Sequence, residues 1–137
     1  MKLKRLNGAL VTIRINPAKY PIRSREQSRS RGQFNLGKKL RLIYTTASIL
    51  EEFSIPGSRL SLDFFIPSRN LAFEFQGIQH DKFNSFFHET KADFQRQRSR
   101  DADKLRWCQM NEITLIEVRD KDMLVRDLRS LITETMS

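Results

Sequence analysis

A chain of 137 residues and 16.2 kDa, 39% hydrophobic and 30% charged, has the size and apolar content of one compact domain and too much of both for a disordered tail. Its single cysteine, Cys108, excludes a disulfide framework and suits a reducing interior. No apolar run reaches the length of a membrane span, and the basic start Met1-Lys2-Leu3-Lys4-Arg5 lacks the apolar stretch of a signal peptide, so a cytoplasmic protein with no membrane partner is expected.

The net charge of +9 and pI of 10.2 are unevenly spread. Through Leu50, twelve Lys and Arg stand against one acid, Glu26. Such a one-sided field attracts polyanions; the plain alternative is a solvated basic face with no partner.

In chain order, Ala9 to Ile15 alternates weakly and reads as a short strand stopped by Asn16-Pro17. Tyr20 to Gly32 is polar and basic and reads as an exposed arm. Leu36, Leu40, Ile43 and Tyr44 recur at helical spacing, predicting a helix from about Gly32 to Thr46, with Gly37 an unfavourable residue inside it. Ile49 to Ile55 reads as a strand closed by the turn signal Ile55-Pro56-Gly57-Ser58. Leu60 to Ile66 and Leu71 to Gln76 then alternate apolar and polar residues around Pro67-Ser68-Arg69-Asn70, a hairpin connection. An aromatic stretch (Phe83, Phe86, Phe87) precedes a polar helix from about Lys91 to Asn111. A buried strand, Ile113 to Val118, and an amphipathic helix carrying Leu124, Leu128, Leu131 and Ile132 close the chain. Trp107 reads as core. The order is helix, three-stranded meander, helix, strand, helix: an α/β arrangement with a mixed four-stranded sheet.

The hairpin carries the chemistry. With Ser68 and Arg69 as a two-residue loop, Pro67 pairs with Asn70 and Asp63 falls opposite Glu74. Cross-strand neighbours lie about 4.5–5.5 Å apart at Cβ. Two carboxylates that close repel, so a cation between them or a proton on one is required; otherwise the face is solvated and arginines pair with the acids. All-oxygen donors point to Mg²⁺, or Mn²⁺, rather than zinc. Gln76 shares the alternation of Glu74 and is placed to orient a water or a phosphate oxygen. Glu51 and Glu52 are alternative sources of a third carboxylate, and regular alternation allows only one of them to face the site.

The segments Asp63-Phe64-Phe65-Ile66-Pro67 and Leu71-Ala72-Phe73-Glu74-Phe75-Gln76-Gly77-Ile78-Gln79-His80, followed by Arg100-Asp101 and Lys104 on a helix, resemble the PD-(D/E)XK nuclease superfamily, in particular its branch near very-short-patch-repair endonucleases and small phage-borne endonuclease-like proteins. The resemblance spans about Ser30 to Val118 and implies a restriction-endonuclease-like core over 32–137, with 1–31 a basic amino-terminal arm holding a short strand. It implies that Asp63, Glu74 and the Phe75 backbone carbonyl bind the metal. Two positions depart from the pattern. Leu62 replaces a proline, which only shapes the strand. Gln76 replaces the third-position lysine and cannot carry its charge.

Two residues are candidates to make up for that lysine: His80, as general base or leaving-group acid, and Lys104, whose plainer reading is a solvated helix charge. Gln33, in Ser30-Arg31-Gly32-Gln33, stands where many relatives carry a glutamate on the first helix. Arg23, Arg25, Arg29, Arg31, Lys38 and Lys39, with Arg98 and Arg100 on the long helix, are the expected DNA contacts. The function expected is a metal-dependent DNA endonuclease acting on duplex, nicked, branched or mismatched substrates, with room for a homodimer, cytoplasmic in a bacterial host if phage-encoded. The alternatives are a nuclease-fold nucleic-acid-binding module that has lost catalysis, which Gln76 favours, and a basic RNA-binding protein, which leaves the carboxylate pair unexplained.

Overall fold

A computed structural model of the protein describes residues 1–77 and 90–136. The amino-terminal segment folds back as two short antiparallel strands, β1 (Lys2–Lys4) and β2 (Leu10–Thr12), with Leu3 opposite Val11. Three residues of alternation are too few for β1 to be visible in the sequence. It docks because Leu3 is buried, and because the Asn111 side chain accepts from the Lys4 N–H (2.7 Å) and donates to the Lys4 carbonyl (3.1 Å). Ile13, Ile15 and Tyr20 pack against the same core, with the Tyr20 ring 5.3 Å from that of Phe53.

Helix α1 (Arg31–Ile43) starts at Ser30, whose hydroxyl accepts the Gln33 N–H at 3.0 Å. It ends earlier than its periodicity suggested, where Arg41 folds onto the carbonyls of Tyr44 (3.0 Å) and Ala47 (3.1 Å). Leu36 and Leu40 form its buried stripe. Gly37 is tolerated because the helix lies on the sheet: a Cβ there would sit 3.0 Å from the Phe64 ring.

The four-stranded sheet has the order β3 (Leu50–Ser54), β4 (Ser61–Ile66), β5 (Leu71–Phe75), β6 (Thr114–Val118). The first three strands form an antiparallel meander and β6 runs parallel to β5. That parallel pair needs a long crossover, and α2 (Lys91–Met110) lies in it. The hairpin register is the one the loop count implies: Phe64 faces Phe73, Phe65 faces Ala72 and Ile66 faces Leu71. Pro67–Arg69 form a single tight turn, and Asn70 closes it in the left-handed region (φ 50°).

Two apolar clusters sandwich the sheet. One gathers Leu50, Phe53, Leu62, Phe65 and Ala72 with Trp107 and Cys108 of α2. The other gathers Phe64, Ile66, Phe73, Ile116 and Val118 with Leu36 and Leu40 of α1 and Leu128 of α3 (Val125–Met136). Trp107 is fully buried as expected, and its indole nitrogen has no hydrogen-bond partner among the described residues. Only Trp107 and Cys108 of α2 are buried, so most of this polar helix projects past the core.

Of the two glycines in α1, Gly32 lies closer to the sheet: an added Cβ there would lie 2.2 Å from the Phe75 ring. Gly32→Ala is therefore expected to destabilise the fold by about 1–3 kcal/mol. Urea unfolding checks this, and Phe75→Leu in the same chain is expected to recover part of the loss.

Candidate metal centre

At the end of the β4–β5 hairpin the ladder gives way. Its last backbone pair is Phe64 with Phe73. Beyond it, each strand's amide is taken by the other strand's carboxylate: the Asp63 N–H donates to Glu74 Oε2 (2.5 Å) and the Phe75 N–H to Asp63 Oδ2 (2.8 Å). Asp63 and Glu74 are thus brought together as expected, clasped through backbone donors. The second oxygen of Glu74 accepts from Lys104 Nζ at 2.7 Å. Lys104 is not a solvated helix charge: its side chain is 17% exposed and that of Glu74 is 5% exposed. The sequence could not assign Lys104 because the sparse apolar residues of α2 do not fix which face turns inward.

The electrostatics follow from two acids sharing one ammonium. Burial, then the Glu74 charge, push the Asp63 carboxyl well above the usual carboxylate range, against the pull of Lys104 and the Phe75 N–H. Burial alone lowers Lys104, but its charge interaction and hydrogen bond with Glu74, together with the charge of Asp63, leave it raised. Cys108 is pushed up to about 12 by burial and by Glu74, which keeps it a protonated thiol rather than a nucleophile.

These residues line a cleft of about 790 Å³ between the start of α1 and the middle of α2. Its walls carry Arg29, Arg31, Gln33, Arg59, Ser61, Phe75, Gly77, Gln97, Arg100 and Asp101 around Asp63, Glu74 and Lys104. Of the expected DNA contacts, Arg29, Arg31 and Arg100 line it, whereas Arg23, Arg25, Lys38, Lys39 and Arg98 do not. Lys38 instead borders a separate, more apolar groove of about 630 Å³ with Pro21, Ile22 and Leu42. Arg59 was missed; it sits in the turn before β4, and nothing in its local pattern sets it apart. Gln76 is buried at 7% exposure, its N–H bonded to the Val118 carbonyl (2.8 Å), and it does not line the cleft. His80 lies outside the described residues, as do Asp81, His88 and the aromatic trio.

Both Glu51 and Glu52 reach the first helix, and neither lines the cleft. Gln33 Nε2 donates to Glu51 Oε2 and to Glu52 Oε1, each at 2.9 Å. The reason is the left-handed backbone of Glu52 (φ 55°), a strained state for glutamate that costs about 1–3 kcal/mol. It inverts the pleat, so Leu50 and Phe53 pack in one cluster although they are three residues apart. Glu51 also accepts the Arg23 N–H at 2.7 Å.

The donor set suits a hard divalent cation. It is all oxygen and opens onto the cleft. Among the described residues no three His, Cys, Asp or Glu side chains group as a metal cage. Mg²⁺ commonly binds through one or two carboxylates with water and phosphate oxygens completing its shell.

No family model matches the chain, and no solved structure matches it. Its sequence is similar to Uncharacterized protein 033L of Invertebrate iridescent virus 3, at 44% identity over 64 residues covering 47% of this chain and 33% of that protein. It is also similar to Uncharacterized protein 307L of Invertebrate iridescent virus 6, at 44% over 59 residues (43% and 30%). A third relative is Uncharacterized protein 094L of Frog virus 3 (isolate Goorha), at 41% over 63 residues (45% and 41%). The match thus takes in between 30% and 41% of these relatives' own length.

The raised Asp63 carboxyl gives a pH prediction. The folded state holds this proton more tightly than the unfolded chain, whose ordinary value is 3.8, so stability is lost as pH rises through the folded value. Asp63→Asn is expected to stabilise the cation-free protein at neutral pH, with the gain narrowing on acidification. Denaturant unfolding in EDTA across a pH series checks it, and a pH-independent gain would assign the effect elsewhere.

Proposed function

We propose that the chain is a metal-dependent endodeoxyribonuclease that hydrolyses phosphodiester bonds with Mg²⁺, or Mn²⁺ in its place. The observation that carries this reading is the Asp63–Glu74 carboxylate pair, clasped to backbone amides and joined to Lys104, on the floor of a cleft walled by arginines. Asp63 and Glu74 hold the cation, with the Phe75 carbonyl as a further oxygen. A bound divalent cation supplies Lewis-acid polarisation of the phosphate and lowers the pKa of an attacking water.

The chain's own residues do the rest. Arg29, Arg31, Arg59 and Arg100, which come from three separate places in the sequence, bind backbone phosphates and position the strand without reading bases. Lys104 offers its ammonium to a non-bridging phosphate oxygen, where negative charge grows in the transition state. This supplies from α2 the charge that Gln76 lacks at the third position of the motif, and it removes the main reason to read the protein as a binding module only. His80 is proposed as the group that moves a proton to or from water or the leaving oxygen.

Supercoiled plasmid and branched DNA, incubated with Mg²⁺, Mn²⁺ or EDTA, test the proposal. Cation-dependent cleavage is expected, abolished in Asp63→Ala and Glu74→Ala and reduced about 10²–10³-fold in Lys104→Met. Binding of DNA with no cleavage under any cation would identify a binding module and overturn the enzyme reading.

A further inference from the structure

The carboxylate of Glu52 is a hub. Its Oε1 accepts from Gln33 Nε2 at 2.9 Å, and its Oε2 accepts from Ser61 Oγ at 2.8 Å and lies 3.5 Å from Arg29 Nη1. All three partners line the cleft, whereas Glu52 itself does not. They come from α1, from β4 and from the segment before α1, so one side chain ties together three separate parts of the wall. The sheet places this hub opposite Asp63: the pairs Glu51 with Phe64 and Phe53 with Leu62 bracket it.

The amide of Gln33 is oriented by the same contacts. Two carboxylates can only accept, so the side chain must present its NH₂ group to them. Its oxygen makes no hydrogen bond among the described residues, on a side chain that borders the cleft. The Arg29 side chain is 66% exposed, and that of Glu52 is 9% exposed. A long, exposed arginine has many rotamers to lose on binding, and a fixed anion at its base removes part of that cost in advance.

We infer that Glu52 is a positioning residue for substrate: its left-handed backbone delivers a half-buried carboxylate that holds Arg29, Gln33 and Ser61 in the arrangement that receives a DNA phosphate. This rests on the proposed nuclease reading for the identity of the polyanion. The strain at Glu52 then has a purpose, since a relaxed pleat would point this carboxylate away from α1.

The sign of a single measurement separates this from simple electrostatics. Glu52→Gln removes a negative charge from the wall of a cleft that binds a polyanion, so charge alone makes DNA bind more tightly. A positioning role makes it bind more weakly. Binding of a labelled duplex in EDTA, read by fluorescence anisotropy, is expected to weaken about three- to tenfold in Glu52→Gln, as for loss of one or two hydrogen bonds. Arg29→Ala is expected to weaken it by a similar factor, and the double variant by no more than the stronger single change.

Glu52→Gly, which accepts the left-handed backbone without strain, guards against misfolding. It is expected to bind DNA as weakly as Glu52→Gln while melting no lower than that variant. Unchanged or tighter binding in Glu52→Gln, or additive losses in the double variant, would overturn the inference and leave the nuclease reading intact. Wild-type binding without cleavage, with the weakened and non-additive variants, would overturn the nuclease reading alone. A wild-type protein that does not bind DNA would overturn both.

Discussion

The structure turns on the repulsion between Asp63 and Glu74 and on how it is answered. Regular pairing would continue the β4–β5 ladder through these residues. Instead, backbone pairing ends at Phe64 and Phe73, and each carboxylate takes an amide from the opposing strand. The exchange keeps both backbone donors satisfied while bringing two acids close together in a largely apolar setting. Lys104 balances one of the two charges. Both acids share this one ammonium on the floor of a cleft walled by arginines, which sets the electrostatic character of the site.

The rest of the fold holds that arrangement in place. Phe64, Phe73, Trp107 and Cys108, all fully buried, pack behind it on the two faces of the sheet. Helix α1 approaches closely enough that Gly32 lies against the Phe75 ring, which brings its first turn to the cleft edge. Helix α2 buries only Trp107 and Cys108, and its polar portion, with Arg100, Asp101 and Lys104, lines the opposite wall. The amino-terminal strands close the far side through Leu3 and the Asn111 bridge to Lys4.

Much of this was legible in the residues because the governing patterns are local. Alternation marks β4 and β5, and the two-residue loop fixes their register, so the Asp63–Glu74 pairing followed from counting. Other features were not legible, for physical reasons. Lys104 depends on the rotation of a helix with too few apolar residues to show its inner face. Arg59 depends on where a turn points. Glu52 depends on a backbone conformation that glutamate rarely adopts. Gln76 follows the end of β5, where it is buried and does not line the cleft.

The single tryptophan adds a consequence of a different kind. Trp107 is fully buried, its indole N–H has no partner among the described residues, and it directly precedes Cys108, whose thiol feels the charges of Glu74 and Lys104. An indole held this dry emits at short wavelength, and its emission responds to fields generated nearby. The protein therefore carries a built-in optical probe beside its charged centre: a change in the ionic state of that centre registers in Trp107 emission without a label.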